Sequence, residues 1–120
     1  MIYTSSYFNN DIKEMTKVRI SVSQPKGIGY DTIPWLTVAP DWYTLLKPYK
    51  DGVIDDNEYT KRYLKQLEGN KQKIVSEYKT LLNRYGSFVM LCWCKKGNFC
   101  HRRLLAEWLK EQGFEEVKEL

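Results

Sequence analysis

The feature that most constrains the fold is a nearly continuous apolar run over residues 87–94, which reads Ser-Phe-Val-Met-Leu-Cys-Trp-Cys. The run has the length of a strand rather than of a helix, and its apolar side chains alternate to both faces. Strands covered on both faces are typical of the parallel sheets of α/β proteins. The run therefore predicts a central strand over 88–93, parallel to a strand at residues 2–7, in a sheet with helices on both faces.

Shorter segments of strand character lie elsewhere in the chain. Residues 2–8 are β-branched and aromatic, and residues 18–24 alternate apolar with polar side chains, as in a strand with one buried face. Residues 25–40 hold three prolines and two glycines without periodicity, which predicts a long irregular loop. Residues 114–117 follow a glycine and favour a last short strand.

Four segments carry helix signals. Asp41 is suited to cap a short helix over 42–47 that ends near Pro48, and Asp55 followed by Glu58 resembles a capping box before a second helix. Apolar stripes at helical spacing mark the second, third and fourth helices: Tyr59, Tyr63, Leu64 and Leu67; Ile74, Val75, Tyr78, Leu81, Leu82 and Tyr85; and Leu104, Leu105, Trp108 and Leu109.

Together these elements predict a small three-layer Rossmann-like α/β domain with a mainly parallel sheet and helices on both faces. A strand, a crossover helix and a second strand imply parallel neighbours that are joined by right-handed connections. The chain has 120 residues, the size of one ordinary domain, so we expect residues 1–120 to form a single unit.

Charge and cysteine usage narrow the classes of partner and compartment. The net charge of +4 suits an anionic small molecule, and nucleic acid is the less favoured partner because the sequence has no recognisable nucleic-acid-binding signature. No membrane partner is expected, since no apolar run has the length of a membrane span. All three cysteines lie within nine residues, unlike a secreted disulfide framework, so we expect a cytoplasmic protein without a signal peptide.

Candidate chemistry is concentrated between Cys92 and Arg102, where the central strand runs into a helix. In open parallel sheets, ligands bind at the carboxyl ends of the strands. Cys100 and His101 lie at the predicted helix start, where free N–H groups favour an anion and basic neighbours should lower the pKa of the Cys100 thiol. If the site is catalytic, we expect Cys100 and His101 to carry the chemistry, with the histidine transferring a proton. Adjacent residues at a helix start do not face each other, so their spacing alone does not make them a dyad.

A second set of residues is expected to bind the ligand. Arg102 is suited to a phosphate or carboxylate, Cys94 stands at the open end of the strand, and Lys96 adds positive charge. Polar side chains near the first two strands are expected at the same crevice: Tyr3, Ser5, Ser21, Ser23 and Lys26. Cys92, inside the apolar run, is expected to serve packing alone.

The junction also resembles a known family. Met90-Leu91-Cys92-Trp93-Cys94, a loop, and Cys100-His101-Arg102 are similar to the C-terminal signature of the domain of unknown function 488 family. Three other segments also look like the short members of this family: residues 2–8, the strand with Ile20-Ser21 that precedes residues 25–27, and residues 58–60. The resemblance covers nearly the whole chain, and it implies an α/β fold with a pocket but no established reaction.

One position departs from that family pattern. Two residues after the first cysteine of the signature the family usually has an acidic residue, and this chain has Cys94 there. If the carboxylate acts as a general base in the family, this chain does not use it in the same way.

The cysteines also invite two other interpretations. The Cys-x-Cys and Cys-His residues offer the ligand types of a zinc site. Their spacing is irregular, however, and the consecutive residues Cys100 and His101 are awkward ligands for one ion. We therefore expect no metal or other cofactor. A phosphatase loop needs an arginine six positions after the cysteine, and neither Cys92 nor Cys94 has one. Two main function classes remain: a site for an anionic nucleotide or sugar phosphate, with or without chemistry, and a non-catalytic module that binds nucleic acid or protein. A zinc-stabilised domain that uses the Cys-x-Cys and Cys-His residues is a third, lesser alternative.

Overall fold

The computed structural model describes residues 1–94 and 99–120. Within these residues five strands form one sheet in which every neighbouring pair is parallel. The order across the sheet is β3-β2-β4-β1-β5. The strands are β1 (Ile2–Ser6), β2 (Lys17–Arg19), β3 (Ile33–Pro34), β4 (Phe88–Cys92) and β5 (Lys118–Glu119).

Strand β4 lies in the centre of the sheet, as its apolar sequence predicts. It pairs in parallel with β1 in the register Ile2 to Phe88, and with β2 on its other edge. All five of its side chains are buried. Phe88 and Met90 belong to the larger apolar cluster on one face, whereas Val89 and Leu91 belong to a second cluster on the opposite face. The central position of the run is therefore confirmed.

The three long helices follow the apolar stripes of the sequence: α2 (Asp56–Gly69), α3 (Lys71–Tyr85) and α4 (His101–Glu111). Helix α2 begins where expected, because the Asp55 carboxylate accepts a hydrogen bond of 2.9 Å from the backbone N–H of Glu58. Helix α3 ends at Gly86, whose φ of 72° favours glycine.

The two faces of the sheet are covered unequally. Buried side chains of all three long helices join the larger cluster, for example Tyr63, Ile74 and Leu105. The opposite face is covered by the short 3-10 helix Asn10–Ile12 and by neighbouring loops, with Ile12 at its centre. The α/β class and the parallel, Rossmann-like sheet are confirmed, and the layer opposite the long helices is thin.

The first two strands are shorter than predicted. Strand β1 ends at Ser6 rather than at residue 8, and β2 ends at Arg19 rather than at residue 24. Beyond β2, the Arg19 guanidinium donates a 2.6 Å hydrogen bond to the carbonyl of Val22, and the Ser21 hydroxyl donates to the carbonyl of Ser23. These local bonds replace the ladder and turn the chain away from the sheet.

The prediction of an irregular loop over 25–40 is wrong in part. The segment contains β3 and the 3-10 helix Leu36–Val38. Strand β3 is a two-residue edge strand held against β2, where a proline is tolerated, and it is too short to show a periodicity in the sequence.

Two further boundaries need correction. The helix predicted over 42–47 is a π-helical turn, Trp42–Leu46, that continues into α1 (Lys47–Lys50), because Pro48 occupies the first turn of α1, where its missing N–H costs nothing. The last strand is β5, not 114–117, since Phe114 packs edge-on against Tyr78, with ring centroids 4.7 Å apart, before the chain reaches the sheet.

In the part of the chain that the structure describes, none of the helices combines the length and the apolar character needed to span a membrane.

Candidate thiol-lined pocket

A pocket of about 460 Å³ opens beyond the carboxyl ends of β2 and β4. Residues 21–23 follow β2, residues 92–94 end and follow β4, and Cys100 and His101 begin α4; all of them line this pocket. Parallel strands bring their carboxyl ends to one edge of the sheet, and for this reason segments far apart in the sequence meet here. We call this cavity the thiol-lined pocket.

Aromatic rings form most of the remaining wall of the thiol-lined pocket. They are Trp42, Tyr49, Tyr59, Trp93 and Phe99. Tyr49, Tyr59 and Phe99 contact one another with ring centroids 5.1 to 5.7 Å apart. The Trp93 indole donates a 2.8 Å hydrogen bond to the carbonyl of Ser23 and so joins the ends of the two strands. The wall is therefore held by its own contacts.

The three cysteines converge at one end of the pocket. Their sulfur atoms all lie within 4.8 Å of one another, and all three are free thiols. Cys92 and Cys100 are buried, whereas Cys94 is half-buried. Cys92, expected to serve packing alone, is buried as predicted and also contributes its sulfur to this cluster.

The thiols differ in acidity because they hydrogen-bond to one another. Hydrogen bonds from Cys100 and then Cys92 lower the pKa of Cys94 to about 3. The same bonds with Cys92 and Cys94, together with burial, raise the pKa of Cys100 well above that of an ordinary thiol. The expectation that the Cys100 thiol has a lowered pKa is therefore wrong. The effect of its helix-start position is outweighed by its hydrogen bonds with Cys92 and Cys94 and by its burial.

His101 is oriented by the backbone of the strand next to it. Its Nε2 lies 2.7 Å from the carbonyl oxygen of Ile20, and its Nδ1 lies 3.7 Å from the Cys100 sulfur. A carbonyl oxygen only accepts, so Nε2 carries a proton. Burial lowers the pKa of His101, which favours the neutral ring with an unprotonated Nδ1 facing Cys100. The Ile20 carbonyl therefore fixes the orientation of the ring and leaves the unprotonated Nδ1 beside Cys100 in the wall of the pocket.

Arg102 does not line the pocket, although the sequence suggests a ligand-binding role for it. Its side chain is fully buried, and its Nε and Nη2 donate to the Glu119 carboxylate at 2.8 to 3.1 Å. Its Nη1 donates to the Cys92 sulfur at 3.0 Å and to the Cys94 carbonyl at 2.6 Å. Burial alone would lower the pKa of Arg102, but the bond to Glu119 and the neighbouring cysteines, Cys92 first, together outweigh it and the pKa is raised.

The other predicted ligand-binding residues divide between the pocket and more distant positions. Ser21 and Ser23 line the pocket together with Cys94. Tyr3 packs with the cluster on the opposite face of the sheet, and Ser5 and Lys26 do not line the pocket either. Lys96 lies outside the described residues.

Sequence reasoning missed several residues of the site. The aromatic wall was signalled only by a high aromatic content, 14% of the chain, which does not say which rings meet. Glu119, which lies in β5 and pairs with Arg102, carries no motif, and its role follows only from the position of β5 beside β1.

The fold and the site together define a Rossmann-like α/β domain whose strand ends carry a thiol-lined pocket. A family model described as DUF488-N3a, the active DUF488-N3 subclade, matches residues 2–113. The chain therefore belongs to the DUF488-N3a family, which agrees with the resemblance of the Cys-His-Arg junction. The same comparisons found no matching curated protein and no matching solved structure.

Proposed function

We propose that the thiol-lined pocket binds a small molecule with a flat ring and an anionic group, of which a nucleotide is the best-fitting class, and places it against the thiols. The observation that carries this proposal is the composition of the wall: five aromatic rings around about 460 Å³, ending on Cys94, Cys100 and His101. Pockets of this volume enclose small organic ligands, and aromatic walls stack on bases of any sequence.

A positively charged residue in the wall of the pocket supports the proposal that the ligand carries an anionic group. Lys50 lines the pocket, and its amine lies 5.3 Å from the centre of the Trp42 ring. A ring stacked on Trp42 would place a phosphate within reach of this amine. The overall charge of +4 acts in the same direction, since it favours the approach of anions.

The reactive groups of the site lie on the wall that the ligand would touch. Cys94 is the half-buried thiol, and Cys100 faces the unprotonated Nδ1 of His101 across 3.7 Å. This arrangement supports thiol or acid/base chemistry on the bound ligand, with Cys94 as the reactive thiolate and His101 as the acceptor of a proton from the ligand. Arg102 has a positioning role in this proposal, because it holds Cys92 and the Cys94 backbone from behind the site.

Calorimetric titration with three matched compounds tests the binding proposal: adenosine 5′-monophosphate, adenosine, and ribose 5-phosphate. We expect the monophosphate to bind most tightly, adenosine less tightly, and ribose 5-phosphate most weakly. Trp42→Ala should weaken monophosphate binding by about 1–3 kcal/mol, the range for loss of one stacked base. Lys50→Gln should reduce the difference between the monophosphate and adenosine.

Tyr43→Ala is the matched control, because Tyr43 is an exposed aromatic neighbour of Trp42 that does not line the pocket. Its affinity for the monophosphate should equal that of the wild type. Ribose 5-phosphate binding as tightly as the monophosphate would contradict the stacking proposal, and so would equal losses in Trp42→Ala and Tyr43→Ala.

A further inference from the structure

The three cysteine sulfurs have the arrangement of a metal site that is open on one side. We infer that Cys92, Cys94 and Cys100 bind one thiophilic d¹⁰ cation, Zn²⁺ or Cu⁺, and that its fourth coordination position faces the thiol-lined pocket. Their sulfurs lie within 4.8 Å of one another. A zinc ion at about 2.3 Å from each sulfur requires separations of about 3.8 Å, so a small rotation of the side chains closes the site.

The donor set selects the class of metal. Three sulfur ligands suit soft or borderline cations, whereas Mg²⁺ and Ca²⁺ require oxygen ligands. The irregular sequence spacing is no obstacle, because Cys92 ends a strand, Cys100 directly precedes the first residue of α4, and the fold brings them together without His101. His101 is not needed as a ligand, which removes the difficulty of two consecutive ligands at a helix start.

The surroundings of the sulfurs support a charged metal–thiolate group. Arg102 donates a hydrogen bond of 3.0 Å to the Cys92 sulfur and one of 2.6 Å to the Cys94 carbonyl. The Glu119 carboxylate holds the guanidinium from its other side. Hydrogen bonds of this kind from behind a site orient the ligands and balance the negative charge of a three-thiolate complex.

The opening toward the pocket gives the site its chemical character. All three cysteines line the pocket, so a water molecule or a ligand atom in the pocket can complete the tetrahedron. Three protein ligands with an exchangeable fourth position are typical of catalytic rather than structural zinc sites. The metal site stands on the sulfur geometry alone and does not depend on nucleotide binding.

The test uses the full chain, reduced and stripped with a chelator, and adds Zn²⁺ or Cu⁺ without any nucleotide under anaerobic conditions. Competition with a chromophoric chelator should give one equivalent bound with a dissociation constant of about 50 nM or tighter for at least one of the two ions, the weak end of the range for structural zinc sites in peptides. Co²⁺ serves as a spectroscopic probe of zinc-type coordination and should show sulfur-to-metal charge-transfer absorption.

Cys94→Ser is the principal variant because Cys94 is half-buried, and circular dichroism checks that it folds. It should weaken binding by about 100-fold or more, beyond the loss expected from a residue that only orients a ligand. Ser23→Ala, at the pocket wall but without sulfur, and His101→Gln should both bind as the wild type does.

If the wild type binds fewer than half an equivalent of Zn²⁺ and also fewer than half an equivalent of Cu⁺, the inference is overturned. Equal affinities for the wild type and folded Cys94→Ser would overturn it as well. An equal loss in His101→Gln would replace the three-thiol assignment with one that includes the histidine. Titration of the stripped protein with adenosine 5′-monophosphate measures the pocket separately, so failure of the metal site and failure of the nucleotide proposal give different results.

Discussion

Two consecutive residues at the start of α4, His101 and Arg102, lie on opposite sides of the same junction and have different roles. His101 lines the thiol-lined pocket and faces Cys100. Arg102 does not line the pocket but is fully buried behind it and forms an ion pair with Glu119. The comparison shows that a short motif of chemically active residues does not form one site. His101 lines a cavity, and Arg102 packs behind the cavity wall, where it contacts Cys92 and the Cys94 carbonyl.

The largest effect on the free energy of unfolding should come from Arg102, which packs behind the thiol-lined pocket. Arg102→Ala leaves the Glu119 carboxylate without its partner and removes the donor to Cys92 and Cys94. We expect a loss of about 3 kcal/mol in the free energy of unfolding, the low end of the range for breaking a buried pair, because the Glu119 side chain stays 20% exposed. Urea denaturation measures this loss.

Arg103→Ala is the matched control, since Arg103 is the next residue along α4 and is exposed. Its unfolding free energy should stay within about 0.5 kcal/mol of the wild type. If Arg102→Ala changes the free energy of unfolding no more than Arg103→Ala does, the ion pair with Glu119 does not support the fold. The contrast between His101 as a pocket residue and Arg102 as a structural residue would then be wrong.

The three cysteines that line the pocket should differ in how fast they react with an alkylating agent, rather than in how much they stabilise the fold. Cys94 should react with iodoacetamide faster than Cys92 or Cys100 in the metal-free protein, because it is the half-buried thiol of the three. Since its pKa is lowered to about 3, its thiolate fraction should hardly change between pH 6 and pH 8. An ordinary thiol would gain about 75-fold in thiolate over that interval.

Peptide mass spectrometry at timed intervals assigns each labelled cysteine. Preferential labelling of Cys100, or a rate at Cys94 that follows an ordinary thiol titration, would show that the shared hydrogen bonds do not place the negative charge on Cys94.

A smaller effect on the free energy of unfolding should come from Thr4, which also contacts the Glu119 carboxylate of the ion pair. The Thr4 hydroxyl donates a 2.7 Å hydrogen bond to the Glu119 carboxylate that Arg102 also contacts. Thr4→Val keeps the shape of the side chain and removes this bond, so we expect a loss of about 1 kcal/mol in unfolding free energy. In the Arg102→Ala background the effect of Thr4→Val should differ, because residues of one network are not additive. Additive effects in a double-mutant cycle would indicate two separate interactions.

Long periodic elements of this fold were predictable from the sequence, and short or paired ones were not. Strand β4 and helices α2, α3 and α4 each carry enough apolar residues to show their period. Strands β3 and β5 have two residues each, and their positions depend on the partner strand rather than on their own sequence. Arg19 and Ser21 end β2 through local hydrogen bonds that no alternation of apolar residues reveals.

The location of the pocket was predictable from the sequence, but the arrangement of its thiols was not. The carboxyl end of a central parallel strand and a cysteine-rich junction both indicate residues 92–102. Which thiol carries the charge depends on hydrogen bonds among Cys92, Cys94 and Cys100, and these follow from three-dimensional distances. In the same way, the burial of Arg102 depends on Glu119, which is 17 residues away and in a strand too short to predict.

Ligand binding in the thiol-lined pocket can be followed through the four tryptophan indole N–H resonances. Trp42 and Trp93 line the pocket, whereas the Trp35 and Trp108 indoles donate to Glu77 and Glu68 away from it and serve as internal controls. In a ¹H–¹⁵N titration with adenosine 5′-monophosphate, we expect the Trp42 and Trp93 signals to shift and saturate while the other two remain in place. Unmoved Trp42 and Trp93 signals, or equal shifts of all four, would contradict ligand binding in this pocket.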